Sequence, residues 1–249
     1  VAYADSPRAA ASGGFGGIDD LAPPGHDGMA VQPARSRFVF HPVLTDDPAA
    51  TVGAQQPGAR PDADITTIPA LREAEQQAAC AAYGVSDVRW LAGFRDGWVE
   101  PTFELQREIV RVIRAVRPQR VVCQSPERNY DRLQASHPDH LAAGEATVRA
   151  CYPAAENPFA WPELHSEEGL PFWHVGEIWL MAHPAPDHVV DITDTFARKV
   201  AALQAHASQT AHRGEELEAF LRRMTGLMAQ RMGLPEGRLG EAFKVIPLN

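Results

Sequence analysis

Cysteine is scarce in this sequence, and long apolar runs are missing. The 249 residues include three cysteines, Cys80, Cys123 and Cys151, and no two of them form a CxxC pair. Three thiols cannot all pair within one chain, which favours free thiols in a reducing compartment over a disulfide framework. No apolar run reaches the roughly 18 residues of a membrane span, and the amino terminus lacks the basic-then-apolar pattern of a signal peptide. We therefore expect a cytoplasmic protein with no membrane partner.

Positive charge is also in short supply. The sequence has 23 Lys and Arg against 32 Asp and Glu, which gives a formal net charge of −9 and a pI near 5.5. A protein that binds a phosphate backbone needs a basic face, so this balance argues against a nucleic-acid partner. A small acidic substrate held by one or two arginines stays compatible with it.

Regular periodicity is weak in the first quarter of the chain and clear thereafter. Residues 1–66 are rich in Gly, Ala, Pro and Asp, with one strand-like stretch, RFVFHPVL, at 37–44. From residue 67 onward, amphipathic helical segments alternate with short apolar strands such as RVVCQS and EIWLMAH. This alternation predicts an α/β fold with a mostly parallel, Rossmann-like sheet flanked by helices. We expect a single domain over 1–249, of which 1–66 is an irregular amino-terminal part.

The stretch SHPDHLAAG at 136–144 carries the main chemical signal. It follows the predicted strand RVVCQS through a loop, and sites in α/β folds lie at the carboxyl ends of strands. His137 and His140, three residues apart, share a face of the predicted helix, and neutral imidazole is the commonest metal ligand. Asp139, in the first turn, suits the positive end of the helix dipole and is placed to orient a neighbouring histidine. A histidine near a helix start is also often only a cap or a surface residue.

Four segments, in this order, resemble the LmbE/PIG-L family of zinc-dependent N-acetylglucosaminyl deacetylases and amidases, which includes mycothiol S-conjugate amidases. They are LREAEQQAACAAYGV at 71–85, DG at 96–97, HPDH at 137–140 and VVDITDTFARKVAALQAHASQ at 189–209. The resemblance covers more than half of the chain. It implies an LmbE-like fold and a cytoplasmic hydrolase that removes an acyl group from a small N-acylated amino sugar or a thiol conjugate.

The resemblance also implies roles for the HPDH residues. It makes His140 a zinc ligand. It makes His137 the neighbouring group that stabilises the tetrahedral oxyanion or protonates the leaving amine. Asp139 belongs to the same catalytic motif.

Two further residues match family positions, and each has a structural alternative. Arg72 matches a substrate-binding position, but it can also simply pair with Glu75 along a helix face. Asp96 matches an acidic position near the site, but Asp96 before Gly97 is also an ordinary turn. The sequence leaves both alternatives open.

The other half of the family's site is what this sequence lacks. An AHPDDE-like motif at the end of the first strand normally supplies a zinc histidine, the catalytic-base aspartate and a zinc aspartate, and no such string occurs. The best match, VAYADSPRAAASGG at 1–14, puts Tyr3 at the histidine and Ser6 at the ligand aspartate. Only Asp5, at the position of the base, is kept, and the chain then begins at the final residue of the first strand.

A second histidine–proline pair follows the strand-like stretch. His41 and Pro42 precede Asp46 and Asp47, but the intervening VLT breaks the motif. The spacing from His41 to Arg72 is also too short for the strand, helix and strand that the family fold places there. We interpret this stretch as the second strand and His41 as a structural residue.

Two hypotheses for the function follow. In the first, the protein is a zinc-dependent N-deacetylase or amidase, with His140 on the metal and Asp5 as the base. Catalytic zinc takes about three protein ligands, and Tyr3 and Ser6 replace two expected ones, so this hypothesis requires a ligand from elsewhere. In the second, the protein is a degenerate relative that binds a sugar-like ligand without zinc. The apolar residues of the last helix suit a homo-oligomeric interface as well as the core.

Overall fold

The structure, a computed structural model, describes most of the chain from residue 68 onward and two short strands before it. The described residues are 2–5, 37–41, 68–91, 94, 97–131, 133 and 136–248. For the first two ranges and for Ile68, the description covers the backbone alone. Apart from those two strands, the predicted irregular part at 1–66 lies outside the described residues, and so do Ser6 and Asp96.

Strands and helices alternate along the described chain, as the hydrophobic pattern predicts. The strands are β1 (Ala2–Asp5), β2 (Arg37–His41), β3 (Asp87–Trp90), β4 (Arg120–Gln124), β5 (Glu177–Met181), β6 (His188–Asp191) and β7 (Gly240–Pro247). The α-helices are α1 (Ile68–Ala82), α2 (Phe103–Val116), α3 (Pro138–Arg149), α4 (Glu163–Ser166), α5 (Phe196–Ala205), α6 (Ala207–Thr210) and α7 (Glu216–Arg231). The predicted α/β class is confirmed, and β7 is an element that the sequence analysis did not predict.

Helix α2 shows how local sequence specifies these elements. The Thr102 hydroxyl accepts the N–H of Leu105 at 3.2 Å, which caps the amino terminus. Arg117 ends the helix in the left-handed conformation, with φ of 57°, directly before Pro118. The apolar stripe between these ends is buried in one hydrophobic cluster with residues of β4 and α3.

The strands of the described residues form one mixed sheet in the order β3-β2-β1-β4-β5-β7-β6. Neighbours β2 and β3, and β4 and β5, are parallel, and the remaining neighbours are antiparallel. Consequently β2, β3, β4, β5 and β6 all run in one direction. The prediction of a mostly parallel sheet is right for strand direction but wrong for pairing, because β1 and β7 run the opposite way and insert between strands of the common direction.

Helices cover both faces of this sheet. Side chains alternate along a strand, so Val121 and Cys123 of β4 pack with α2 and α3, whereas Val122 packs with α1, α5 and α7. Burial on both faces explains why such strands are continuous apolar runs. The predicted free thiols are confirmed, since Cys80, Cys123 and Cys151 are all buried and unpaired. Within the described residues, no helix is long and apolar enough to cross a bilayer.

The absence of a side chain at residue 144 sets the position of α3. A Cβ atom on Gly144 would lie 2.3 Å from the carbonyl oxygen of Gln124, the last residue of β4. The helix can approach the strand this closely only with glycine at that point. The HPDH sequence at 137–140 is thereby held beside the carboxyl end of β4.

We expect Gly144→Ala to destabilise the protein by about 1–3 kcal/mol, because the Gln124 carbonyl belongs to the backbone and yields poorly to overpacking. Gly226→Ala in α7 is the matched control, since a Cβ there meets only Leu239 at 3.8 Å. That substitution should stabilise the protein by about 0.5–1 kcal/mol through helix propensity. Urea unfolding measures both values. Similar effects at the two positions would contradict the close approach of α3 and β4.

A fully buried arginine joins α2 to the segment between α3 and α4. Arg114 has 0% exposure, and its guanidinium donates to five main-chain carbonyl oxygens between residues 154 and 161, at 3.0–3.3 Å. Its guanidinium carbon also lies 5.0 Å from the ring centroid of Phe172. Burial lowers the pKa of Arg114, yet an arginine stays protonated in a protein. One guanidinium group therefore supplies hydrogen-bond donors to five carbonyl groups of an irregular segment.

Replacing Arg114 with methionine should cost at least about 3 kcal/mol of unfolding free energy. The Ala154 and Ala160 carbonyl oxygens lose their guanidinium donor at about 1–3 kcal/mol each, whereas those of Ala155, Asn157 and Trp161 also accept a main-chain N–H. Arg149→Met is the matched control: Arg149 is exposed, and among the described residues its one ion pair is with Glu145, one turn back in α3. Its loss should stay within about 0.5 kcal/mol. Guanidinium chloride titrations compare the two variants. A mild effect at Arg114 would mean that the 154–161 segment is held by other contacts.

Candidate functional site

The loops that follow β3, β4 and β5 lie at one edge of the sheet, because these strands run in the same direction. The N–H of Ser125 donates to the carbonyl of Met181 at 2.9 Å and extends the pairing of β4 and β5 to this edge. Beyond it, Nε2 of His183 lies 3.4 Å from Oε1 of Glu127. The loops after β4 and β5 are therefore in direct contact.

The HPDH sequence lies at this edge, at the start of α3. His137 is the N-cap residue, and its Nδ1 accepts the N–H of Asp139 at 3.3 Å, with Pro138 at the start of the helix. The ring centroids of His137 and His140 are 5.5 Å apart, and the rings are tilted by 52°. The two histidines are thus neighbours, as their spacing predicts, and His137 also caps the helix.

The His140 imidazole is in the form that a metal ion binds. The residue is exposed to solvent, yet protein surrounds the ring closely enough for desolvation to lower its pKa to about 4. At neutral pH the ring is therefore uncharged and has a nitrogen lone pair to offer.

The Asp139 carboxylate bonds to the loop after β3 and not, within the described residues, to a histidine. Its side chain is 2% exposed, and the carboxylate accepts the N–H of Gly97 at 2.5 Å and that of Val99 at 3.3 Å. The sequence predicted that Asp139 would orient a histidine. In the structure this carboxylate holds residues 97–99 against the start of α3, and its action on a histidine stays a prediction.

Asp139→Asn should loosen this loop, because the amide nitrogen that replaces one carboxylate oxygen cannot accept a hydrogen bond. Hydrogen bonds to a charged group contribute about 1.5–3 kcal/mol, so the backbone amides of Gly97 and Val99 should exchange with deuterium at least about tenfold faster. Nuclear magnetic resonance resolves the two amides, and Asp131→Asn, at an exposed loop residue, is the control. Unchanged protection of both amides would show that other contacts hold the loop.

Arg72 forms the ion pair with Glu75 that the sequence offered as the alternative to substrate binding. Its Nη1 lies 2.9 Å from Oε2 of Glu75, whose carboxylate also accepts the N–H and the hydroxyl of Ser208 at 2.6 and 2.8 Å. No hydrogen bond or ion pair joins Arg72 to the HPDH residues within the part of the chain that is described. Sequence analysis missed Ser208, although it belongs to one of the four family-like segments.

The topology nevertheless places Arg72 at the edge that carries HPDH. Strands β2 and β3 are parallel neighbours, and α1 is the helix that connects them. A helix that crosses between parallel strands runs back along the sheet, from the carboxyl edge to the amino edge. Arg72 is near the amino end of α1, so the function predicted for it and the ion pair are compatible.

The backbone of Asp5, the predicted base, lies away from this edge. Because β1 runs antiparallel to β4, the backbone of Asp5 pairs with Arg120, the first residue of β4. Four residue steps, about 13 Å of strand, separate that point from Gln124 at the HPDH edge. The backbone of His41 pairs with Trp90 at the end of β3. Asp96 lies outside the described residues, so its predicted role stays a prediction.

The described residues supply only part of a zinc site. His140 and the adjacent His137 have the nitrogen donors that zinc takes. Among the residues that the structure describes, no group of three or more His, Cys, Asp or Glu side chains is placed to hold a metal ion. Tyr3 and Asp5 are described by their backbone alone, and Ser6 not at all. Completion of the site therefore needs ligands from beyond the described side chains.

Comparisons with known proteins agree with this chemistry. Residues 46–151, which include Arg72, Asp96 and the HPDH sequence, match the family described as "PIG-L: GlcNAc-PI de-N-acetylase". The chain is 34% identical over 168 residues to the probable N-acetyl-alpha-D-glucosaminyl L-malate deacetylase 2 of Bacillus cereus, a match that covers 64% of this chain and 67% of that protein. The chain belongs to the PIG-L family.

Other relatives of this PIG-L family member are deacetylases as well. It is 28% identical over 192 residues to a 1D-myo-inositol 2-acetamido-2-deoxy-alpha-D-glucopyranoside deacetylase of Frankia casuarinae, with 55% of this chain and 59% of the relative covered. The chain thus spans about two thirds of the Bacillus protein and less of the Frankia protein. Its fold is shared with N,N'-diacetylchitobiose deacetylase from Pyrococcus horikoshii, with a TM-score of 0.68 over 84% of this chain and 72% of that one, at 24% identity.

Proposed function

We propose that this protein is a hydrolase that removes the acetyl group from a small N-acetylglucosaminyl conjugate. The observation that carries the proposal is the neighbouring pair His137 and His140 at the carboxyl edge of the sheet, in a chain of the PIG-L family. Relatives named for sugar–malate and sugar–inositol conjugates support this substrate class. A thiol conjugate of the same sugar is a finer prediction, and so is a homo-oligomeric state.

The two histidines divide the chemistry between them. His140, neutral at pH 7, is the proposed zinc ligand. A zinc ion, when bound, polarises the amide carbonyl and lowers the pKa of water from 15.7 to roughly 7. Because Nδ1 of His137 accepts the Asp139 N–H, the neutral His137 ring carries its proton on Nε2. That N–H is the group proposed to stabilise the oxyanion. The alternative role predicted for His137, protonation of the departing amine, requires the imidazolium form with a proton on both ring nitrogens.

The general base is left outside this proposal. Asp5 as the base stays a prediction: its backbone pairs with the first residue of β4, at the opposite edge of the sheet, and its side chain lies outside the described part of the chain. The second hypothesis, a degenerate protein that binds a sugar-like ligand without zinc, has no support among these relatives, which are named as deacetylases.

Acetate release tests the proposal directly. Purified protein with added zinc should deacetylate N-acetylglucosaminyl-malate or N-acetylglucosaminyl-inositol, and a chelator should abolish the activity. We expect His140→Ala to lower kcat/KM by at least about 10³-fold through loss of the metal, and His137→Ala by about 10²–10³-fold through loss of oxyanion stabilisation. Elemental analysis should find about one zinc ion per chain and less in His140→Ala.

The control is His212→Ala, which replaces an exposed histidine before α7 and should leave kcat/KM unchanged. Equal activity of the wild type and His140→Ala would refute the role of that histidine. A folded wild-type protein that binds zinc but releases no acetate from either conjugate would refute the proposed substrate class.

A further inference from the structure

The Glu75 carboxylate connects two family-like segments, of which the carboxyl-terminal one has no assigned role. Glu75, in α1, is 6% exposed and accepts hydrogen bonds from Arg72 Nη1 at 2.9 Å, from the backbone N–H of Ser208 at 2.6 Å and from the Ser208 hydroxyl at 2.8 Å. Ser208, in α6, is 133 residues away along the chain. One buried carboxylate thus ties Arg72 to the corner between α5 and α6.

His206 fills the same corner and is 5% exposed. Its carbonyl accepts the N–H groups of Gln209 and Thr210, and neither ring nitrogen has a hydrogen-bond partner among the described residues. Burial, and then the nearby charge of Arg72, lower the pKa of His206. The neutral ring therefore brings no second cation to compete with Arg72 for the Glu75 carboxylate.

These contacts restrict how the Arg72 guanidinium can lie. An ion pair between two exposed side chains contributes little, since both must be ordered to form it. Here the carboxylate is already held by the two bonds from Ser208, so Arg72 meets a fixed partner. The arginine side chain is 24% exposed, and Nε and Nη2 donate to no acceptor within the described residues. The N–H groups of these two Arg72 nitrogens are therefore available to a ligand, and the ion pair with Glu75 fixes the plane in which they lie.

We propose that Glu75 and Ser208 are positioning residues that fix Arg72, so that its Nε and Nη2 groups bind the oxygen-rich group attached to the sugar. This inference rests on the proposed function, because it takes the substrate to be a sugar conjugate. A guanidinium fork matches carboxylate oxygens in particular and also donates to hydroxyl oxygens, so it suits a hydroxy acid or a polyol. The α5–α6 corner thereby acts on substrate affinity through Arg72.

A double-mutant cycle tests this coupling. Calorimetry measures the Kd of the deacetylated products, glucosaminyl-malate and glucosaminyl-inositol, which the enzyme cannot deacetylate further. The four proteins are the wild type, Ser208→Ala, Arg72→Ala and the double variant. Ser208→Ala should raise Kd about three- to tenfold, because only part of the effect of one lost hydrogen bond to a charged group is passed on to the ligand through Arg72, and it should add nothing when Arg72 is already alanine. In turnover assays it should raise KM while kcat stays within about twofold.

A second variant and a control separate positioning from general destabilisation. Glu75→Gln keeps the shape of the side chain but removes the charge, and it should raise Kd at least as much as Ser208→Ala does. Ser166→Ala removes an exposed hydroxyl in α4 that donates to the Pro162 carbonyl and to no other acceptor in the described part of the chain, and it should leave Kd unchanged. Tm is recorded for every variant. General destabilisation would raise Kd whether or not Arg72 is present, whereas a positioning role predicts that Ser208→Ala has no effect in the Arg72→Ala background.

The outcomes separate this inference from the proposed function. Equal increases of Kd for Ser208→Ala with and without Arg72 would overturn the positioning role and leave the deacetylase proposal intact. Affinity that is insensitive to Arg72→Ala would do the same. A wild-type protein that neither binds these products nor deacetylates their precursors would overturn the proposed function, and the positioning role with it.

Discussion

Helix α3 can lie against the end of β4 only because residue 144 has no side chain. The Gln124 carbonyl occupies the space where a Cβ atom would be, and this contact places the start of the helix at the edge of the sheet. From there Asp139 reaches the N–H groups of residues 97–99, and His137 and His140 come to lie side by side. The contacts between Asp139 and the loop after β3 therefore depend on a packing distance that one glycine sets.

Charged side chains with little exposure connect helices and strands elsewhere in the fold. Arg114 supplies donors to an irregular segment whose carbonyls have few helical or strand partners. On the opposite face, Lys199 of α5 forms a partly buried ion pair with Glu241 of β7, and desolvation raises the pKa of that carboxyl group. Such pairs contribute little net stability but are costly to break, since a single buried charge would remain. They fix which helix lies over which strand.

Local patterns predicted the elements of this fold, whereas contacts between distant residues decided the site. The apolar stripe and the Thr102 cap are enough to predict α2, and the spacing of Arg72 and Glu75 is enough to predict their ion pair. Nothing local marks β7, because its segment has a mixed polarity and depends on β5 and β6 for its pairing. The Asp139 contact with Gly97 and the Glu75 contact with Ser208 join residues far apart in sequence. A single sequence, without an alignment of relatives, contains no pattern that predicts either of these two contacts.

The three buried thiols are distributed over both faces of the sheet. Cys80 lies in the cluster that includes α5 and α7, and Cys123 and Cys151 lie in the cluster that includes α2 and α3. Burial raises the pKa of all three, so a thiol-alkylating reagent can modify them only after the surrounding helices separate. The native chain consequently carries its own set of labels: modification of Cys80 reports opening of one layer, and modification of the other two reports opening of the opposite layer.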